Sequence, residues 1–128
     1  MKKTTANKIL VIEDEEHIQK LARMNLVASG YRVFVAGNGR DGIKIAREER
    51  PDLVLLDLRL PDMSGWDVLV TLKTDRKLER SPVIIVTATV PQELVYKFPS
   101  LRTAGYVVKP FNVTDLLEKV RQVLEARL

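Results

Sequence analysis

The chain has 128 residues, 45% of them hydrophobic and 30% charged, a length and balance that fit one folded domain and exclude a disordered or low-complexity chain. It contains no cysteine and a single histidine, which excludes disulfides, thiolate zinc sites, thiol nucleophiles and paired-histidine metal ligation, so any metal must be held by oxygen. The net charge of +4 comes from lysines and arginines scattered among acids, not gathered into a phosphate-tracking patch, so direct nucleic-acid binding is not expected.

The basic start at Lys2 and Lys3 runs into polar Thr4, Thr5, Ala6 and Asn7. A secretory signal would instead need an apolar stretch of roughly 7 to 15 residues. Residues 1–7 read as a loose tail, and cytoplasmic location is the default. Ile9 to Ile12 then reads as a buried strand, followed by helical spacing at Ile18, Leu21, Ala22 and Leu26 that Gly30 stops. Val33 to Ala36 is a second strand; Asn38, with Asp41 three residues on, caps a helix carrying Ile43 and Ala46, and Pro51 ends it. Leu53 to Leu56 is a third strand, and Ser64, with Asp67, caps a helix carrying Val68, Leu69 and Leu72. Val83 to Val86 is a fourth strand and Tyr106 to Val108 a fifth. Asn112, with Asp115, caps the last helix, whose apolar positions are Val113, Leu116, Leu117, Val120 and Leu124. No apolar run exceeds four residues. About 20 are needed to cross a bilayer, so membrane insertion is not expected.

Strands and helices alternate with short connections, and wholly apolar strands need cover on both faces, so the fold class is α/β, a parallel sheet between two helix layers. In such sheets functional groups gather at the carboxyl ends of the strands. There stand Glu13, Asp14, Glu15 and Glu16 after the first strand, Asp57 after the third, Thr87 after the fourth and Lys109 with Pro110 after the fifth. Helix capping and contact with the helix dipole account for Glu15 and Glu16. They do not explain why an apolar strand ends in Asp57. Glu13, Asp14 and Asp57 crowd like charges into one crevice and call for a hard divalent cation, of which Mg²⁺ best suits a few carboxylates with open positions. With the Lys109 ammonium and the Thr87 hydroxyl, such a site could take a phosphoryl group, with Asp57 as the nucleophile that forms an acyl phosphate.

These residues also carry a resemblance. ILVIEDE at 9–15, PDLVLLDLRLPDMSGWDVL at 51–69, VIIVTA at 83–88 and YVVKPF at 106–111 resemble, in order and spacing, the receiver domain of two-component response regulators. The resemblance covers Lys8 to Arg127 and makes residues 1–128 a single receiver domain. It implies a flavodoxin-like, doubly wound sheet of five strands in the order 2-1-3-4-5. It further implies that Asp57 is the phosphoacceptor, and that Asp14, Asp57 and the main-chain carbonyl of Arg59 ligate Mg²⁺ with Glu13 assisting through water. Lys109, Thr87 and the Ala88 amide would bind the phosphoryl group, Tyr106 would be the switch aromatic, and Lys109-Pro110 would be cis. A sensor histidine kinase or phosphotransfer protein would be the donor and an unidentified protein the downstream partner. Catalysis would extend only to the domain's own phosphoryl uptake and loss.

The family usually has a helix between the fourth and fifth strands. Here Pro99, inside a helix, would clash with the carbonyl of Val95 at a cost of about 3 kcal/mol. A short helix near Gln92 to Lys97, a break and a turn restarted at Pro99 are expected instead, with Tyr96 or Phe98 partly exposed. His17 reads as a solvated surface residue, and Trp66 as a packing group or an exposed partner contact. A rival reading, an aspartate-nucleophile phosphohydrolase of the haloacid dehalogenase type, should carry a second aspartate two residues after the nucleophile, where Arg59 stands.

Overall fold

The computed structural model describes residues 7–88 and 103–127. The expected break between Thr89 and Ala104, and the exposure of Tyr96 or Phe98, concern a segment that lies almost wholly outside the described residues. In chain order the elements are β1 (Lys8–Ile12), α1 (Glu16–Ala28), β2 (Arg32–Ala36), α2 (Gly39–Glu49), β3 (Leu53–Asp57), α3 (Gly65–Thr74), β4 (Val83–Thr87), β5 (Gly105–Val108) and α4 (Val113–Ala126). The strands form one parallel sheet in the order β2-β1-β3-β4-β5.

The strands form where β-branched and leucine residues run together, because a central strand must be apolar on both faces. Successive side chains point to opposite faces, and the core divides accordingly. Leu10, Ile12, Val54, Leu56, Val83 and Ile85 pack on one side with Ala46 of α2 and Val68, Leu69 and Leu72 of α3. Ile9, Val11, Leu53, Leu55, Ile84 and Val86 pack on the other with Ala22 and Leu26 of α1 and Leu116, Val120 and Leu124 of α4. Each fully buried leucine or isoleucine contributes roughly 1.5–3 kcal/mol, so these two layers hold the sheet rigid beneath its loops. β1 apart from Lys8, β3 and β4 are buried throughout, whereas β2 and β5 at the sheet edges are only partly covered by the described residues.

The expected caps are present. Asn38 Oδ1 accepts from the Asp41 amide, the Ser64 hydroxyl oxygen from the Trp66 amide and Asn112 Oδ1 from the Thr114 amide. Gly30 follows α1 with φ of 96°, a left-handed conformation that glycine adopts without steric cost. Asn7, assigned to the tail by sequence, accepts a hydrogen bond from the Arg32 amide through its carbonyl. Among the described residues no helix is long and apolar enough to cross a membrane.

Candidate functional site

Strand order reverses between β1 and β3, and the crevice above that point is where a doubly wound sheet places its ligands. Glu13 and Asp14 leave the end of β1, and Asp57 is the last residue of β3. Asp57 shares its strand face with Leu53 and Leu55, and with Val11, Leu55, Val86 and Glu13 it lines a small apolar cavity under the crevice. Its carboxylate is held by hydrogen bonds, Oδ1 accepting from the Arg59 amide at 3.0 Å. Glu13 is equally buried, and its Oε2 accepts from the Glu15 amide at 3.0 Å. Asp14 is exposed.

The loop after Asp57 is held by contacts that local sequence does not announce. Arg59 bridges Ser64, and the Gly65 amide donates to the Leu58 carbonyl at 3.0 Å. A Cβ at Gly65 would lie 2.5 Å from both the Asp57 carbonyl oxygen and Leu58 Cα, so only glycine lets α3 begin against the backbone of the strand end. Asp62 reaches across to the N-terminus of α2, where its two oxygens accept from the Gly39 and Arg40 amides at 2.8 and 2.9 Å. These bonds hold the Asp62 carboxyl below the usual carboxylate range.

Lys109 enters from the far side. Its amide donates to the Thr87 carbonyl, which ties β5's end to β4's, and the Lys109-Pro110 bond is cis as expected. Its ammonium lies 2.8 Å from Glu13 Oε1, 3.1 Å from Asp57 Oδ2 and 3.2 Å from Glu15 Oε1. Burial pushes the Glu13 carboxyl up to about 7, against the opposing hydrogen bonds from Lys109 and from the Glu15 amide. Burial alone would lower the Lys109 ammonium, but its bonds to Glu13 and Asp57 outweigh it and raise the group. Lys109 therefore stays charged.

Glu15 needs a correction. Sequence assigned it to capping and the helix dipole, yet as the residue before α1 it makes no side-chain cap hydrogen bond, and its carboxylate turns to Lys109 instead. Glutamate is a poor cap beside serine, threonine, aspartate or asparagine, and that mismatch was the available signal. Glu16, in the first turn of α1, fits the dipole reading. His17 is exposed, with Glu15 Oε2 at 3.8 Å, and Trp66 packs against the α2 and α3 layer. Thr87 is buried at the end of β4, Ala88 exposed just beyond it, and Tyr106 stands 46% exposed on β5.

The donor set fits a hard cation. One carboxylate oxygen from each of Glu13, Asp14 and Asp57 lies within 4.8 Å of the others, and every donor is oxygen. Among the described residues one ammonium, that of Lys109, faces this cluster, leaving negative charge that a divalent ion would neutralise.

Residues 9–121 match the family model for the response regulator receiver domain. The polar-differentiation response regulator DivK of Brucella anthropi is 36% identical over 116 residues, covering 91% of this chain and 94% of that protein. Histidine kinase P4 of Formosa agariphila is 31% identical over 122 residues, which are 94% of this chain and 9% of that protein. The receiver domain of sensor histidine kinase PA1611 from Pseudomonas aeruginosa PAO1, solved with a magnesium ion coordinated in its active-site cleft, has a TM-score of 0.84 at 26% identity. That likeness covers 94% of this chain and 99% of that one.

Proposed function

The chain belongs to the response regulator receiver domain family, whose members act in phosphorylation-dependent signalling, and from that membership we propose that it is a Mg²⁺-dependent switch set by phosphorylation of Asp57. The observation that carries this reading is the meeting of buried Glu13, buried Asp57 and the Lys109 ammonium beside Asp14 at the strand-order reversal.

A sensor histidine kinase or phosphotransfer protein is the donor. An Asp57 oxygen attacks phosphorus, an O–P bond forms, the P–N bond of phosphohistidine breaks, and the imidazole leaves with a proton. The strand end orients the nucleophile, and Lys109, the Thr87 hydroxyl and the Ala88 amide receive the phosphoryl oxygens. Asp14, Asp57 and the Arg59 carbonyl would hold Mg²⁺, with Glu13 acting through water, and the cation would neutralise phosphoryl charge. The PA1611 receiver domain, solved with a magnesium ion in its active-site cleft, supports a magnesium site in this crevice. Phosphorylation replaces a carboxylate of single negative charge with a phosphoryl group carrying about −1.5 to −2 and three acceptor oxygens, which draws Thr87 and Lys109 toward residue 57. Tyr106, 46% exposed on the neighbouring strand β5, turns inward and alters the face offered to a downstream protein. Acyl phosphate hydrolysis returns Asp57 to its starting form.

Incubation with acetyl phosphate and Mg²⁺ should add one phosphoryl group by intact mass, and chelation of the metal should prevent it. Uptake that persists at the same rate without divalent metal would contradict the reading.

Asp14 and Glu13 should differ as metal-site residues. Glu13 is buried and already engaged by Lys109 and the Glu15 amide, whereas Asp14 faces solvent. Glu13→Ala is expected to weaken Mg²⁺ about tenfold, as loss of an outer-shell group does, and Asp14→Ala by more than that. Calorimetric titration with Mg²⁺ measures both. Equal losses would contradict the division of roles.

A further inference from the structure

The Lys109 ammonium has three N–H donors, and three carboxylates already stand around it: Glu13 at 2.8 Å, Asp57 at 3.1 Å and Glu15 at 3.2 Å. A phosphoryl oxygen that arrives beside Asp57 must therefore displace one of them. Glu13 is poorly placed to leave, since its side chain is 3% exposed and its other oxygen accepts from the Glu15 amide. Asp57, 6% exposed, is the residue being modified. Glu15 differs from both. Its side chain is 47% exposed, it makes no side-chain cap on α1, and among the described residues its other oxygen has only the His17 ring at 3.8 Å. Water can solvate its carboxylate as soon as the ammonium departs.

We propose that Glu15 is a positioning residue, a placeholder carboxylate that holds the Lys109 ammonium at the rim of the crevice until a phosphoryl group takes its place. This deepens, and rests on, the reading of Asp57 as acceptor. Because the competing contact is an exposed ion pair, its removal should strengthen binding of a phosphoryl mimic modestly, by about two- to fivefold. Length matters as well as charge: aspartate at this position keeps the negative charge but is one methylene shorter and no longer reaches Lys109.

The test is calorimetric titration of the Mg²⁺-loaded protein with beryllium trifluoride anion, the phosphoryl mimic, for wild type, Glu15→Ala and Glu15→Asp. The expected result is a two- to fivefold lower dissociation constant for both variants, with unchanged melting temperature. A Glu15→Ala constant equal to wild type would overturn the proposal. So would a Glu15→Asp variant that matches wild type while Glu15→Ala binds tighter, because charge alone would then explain the gain. Failure of the wild type to bind the mimic would overturn the acceptor assignment for Asp57, and the placeholder role with it.

Discussion

Asp57→Asn is expected to take up no phosphoryl group from acetyl phosphate and Mg²⁺ while keeping its fold. The side chain it replaces sits 6% exposed at the end of a strand whose other residues are buried and apolar. Asparagine has nearly the same volume, so the packing beneath is undisturbed, and its Oδ1 can still accept from the Arg59 amide. What disappears is a carboxylate oxygen 3.1 Å from the Lys109 ammonium, the group proposed to attack phosphorus. An amide does not replace it as a nucleophile. Thermal melting reports the fold and intact mass reports uptake. A variant that melts like wild type yet is phosphorylated at the wild-type rate would remove Asp57 from its role.

Lys109→Ala should separate metal binding from switching. Its ammonium is the counter-ion of two carboxylates whose side chains are 3% and 6% exposed, Glu13 and Asp57. Removing one partner of a buried pair typically costs about 3–5 kcal/mol, because the other charge is left without compensation. Glu13 escapes part of that cost by protonation, since burial already holds its carboxyl up at about 7. A cation supplies the rest. Without Mg²⁺ the variant should melt below wild type, and added Mg²⁺ should raise its melting temperature by more than it raises that of wild type. Phosphoryl uptake should slow on the order of 100-fold, as when one donor to a developing anion is lost, and the change at Tyr106 should not follow. Identical Mg²⁺ responses in the two proteins would show that Lys109 does not neutralise this cluster.

Much of this arrangement is legible in the chain because the forces that create it are local or topological. Ile9 to Ile12, Leu53 to Leu56 and Val83 to Val86 announce strands because a central parallel strand is apolar on both sides. Each strand extends by one residue that apolar periodicity cannot register: Lys8, Arg32, Asp57, Thr87 and Gly105. Asn38, Ser64 and Asn112 are readable as caps because their partners lie within three residues. Glu13, Asp14, Asp57 and Lys109 can be grouped because a doubly wound sheet brings its strand ends together. The ties that tune the site escape such reading. Glu15 meets Lys109 across 94 positions, and Asp62 holds the start of α2 across 23 and 22. Gly65 owes its place to an approach of backbone to backbone that no pattern of hydrophobicity encodes.

The most direct measurement locates the phosphoryl group. Sodium borohydride reduces an aspartyl phosphate to homoserine, and peptide mass spectrometry then reads the altered position. After incubation with acetyl phosphate and Mg²⁺, homoserine is expected at residue 57 and nowhere else. Homoserine at Asp14 or another carboxylate, with Asp57 unchanged, would contradict the assignment of Asp57 as the phosphoacceptor.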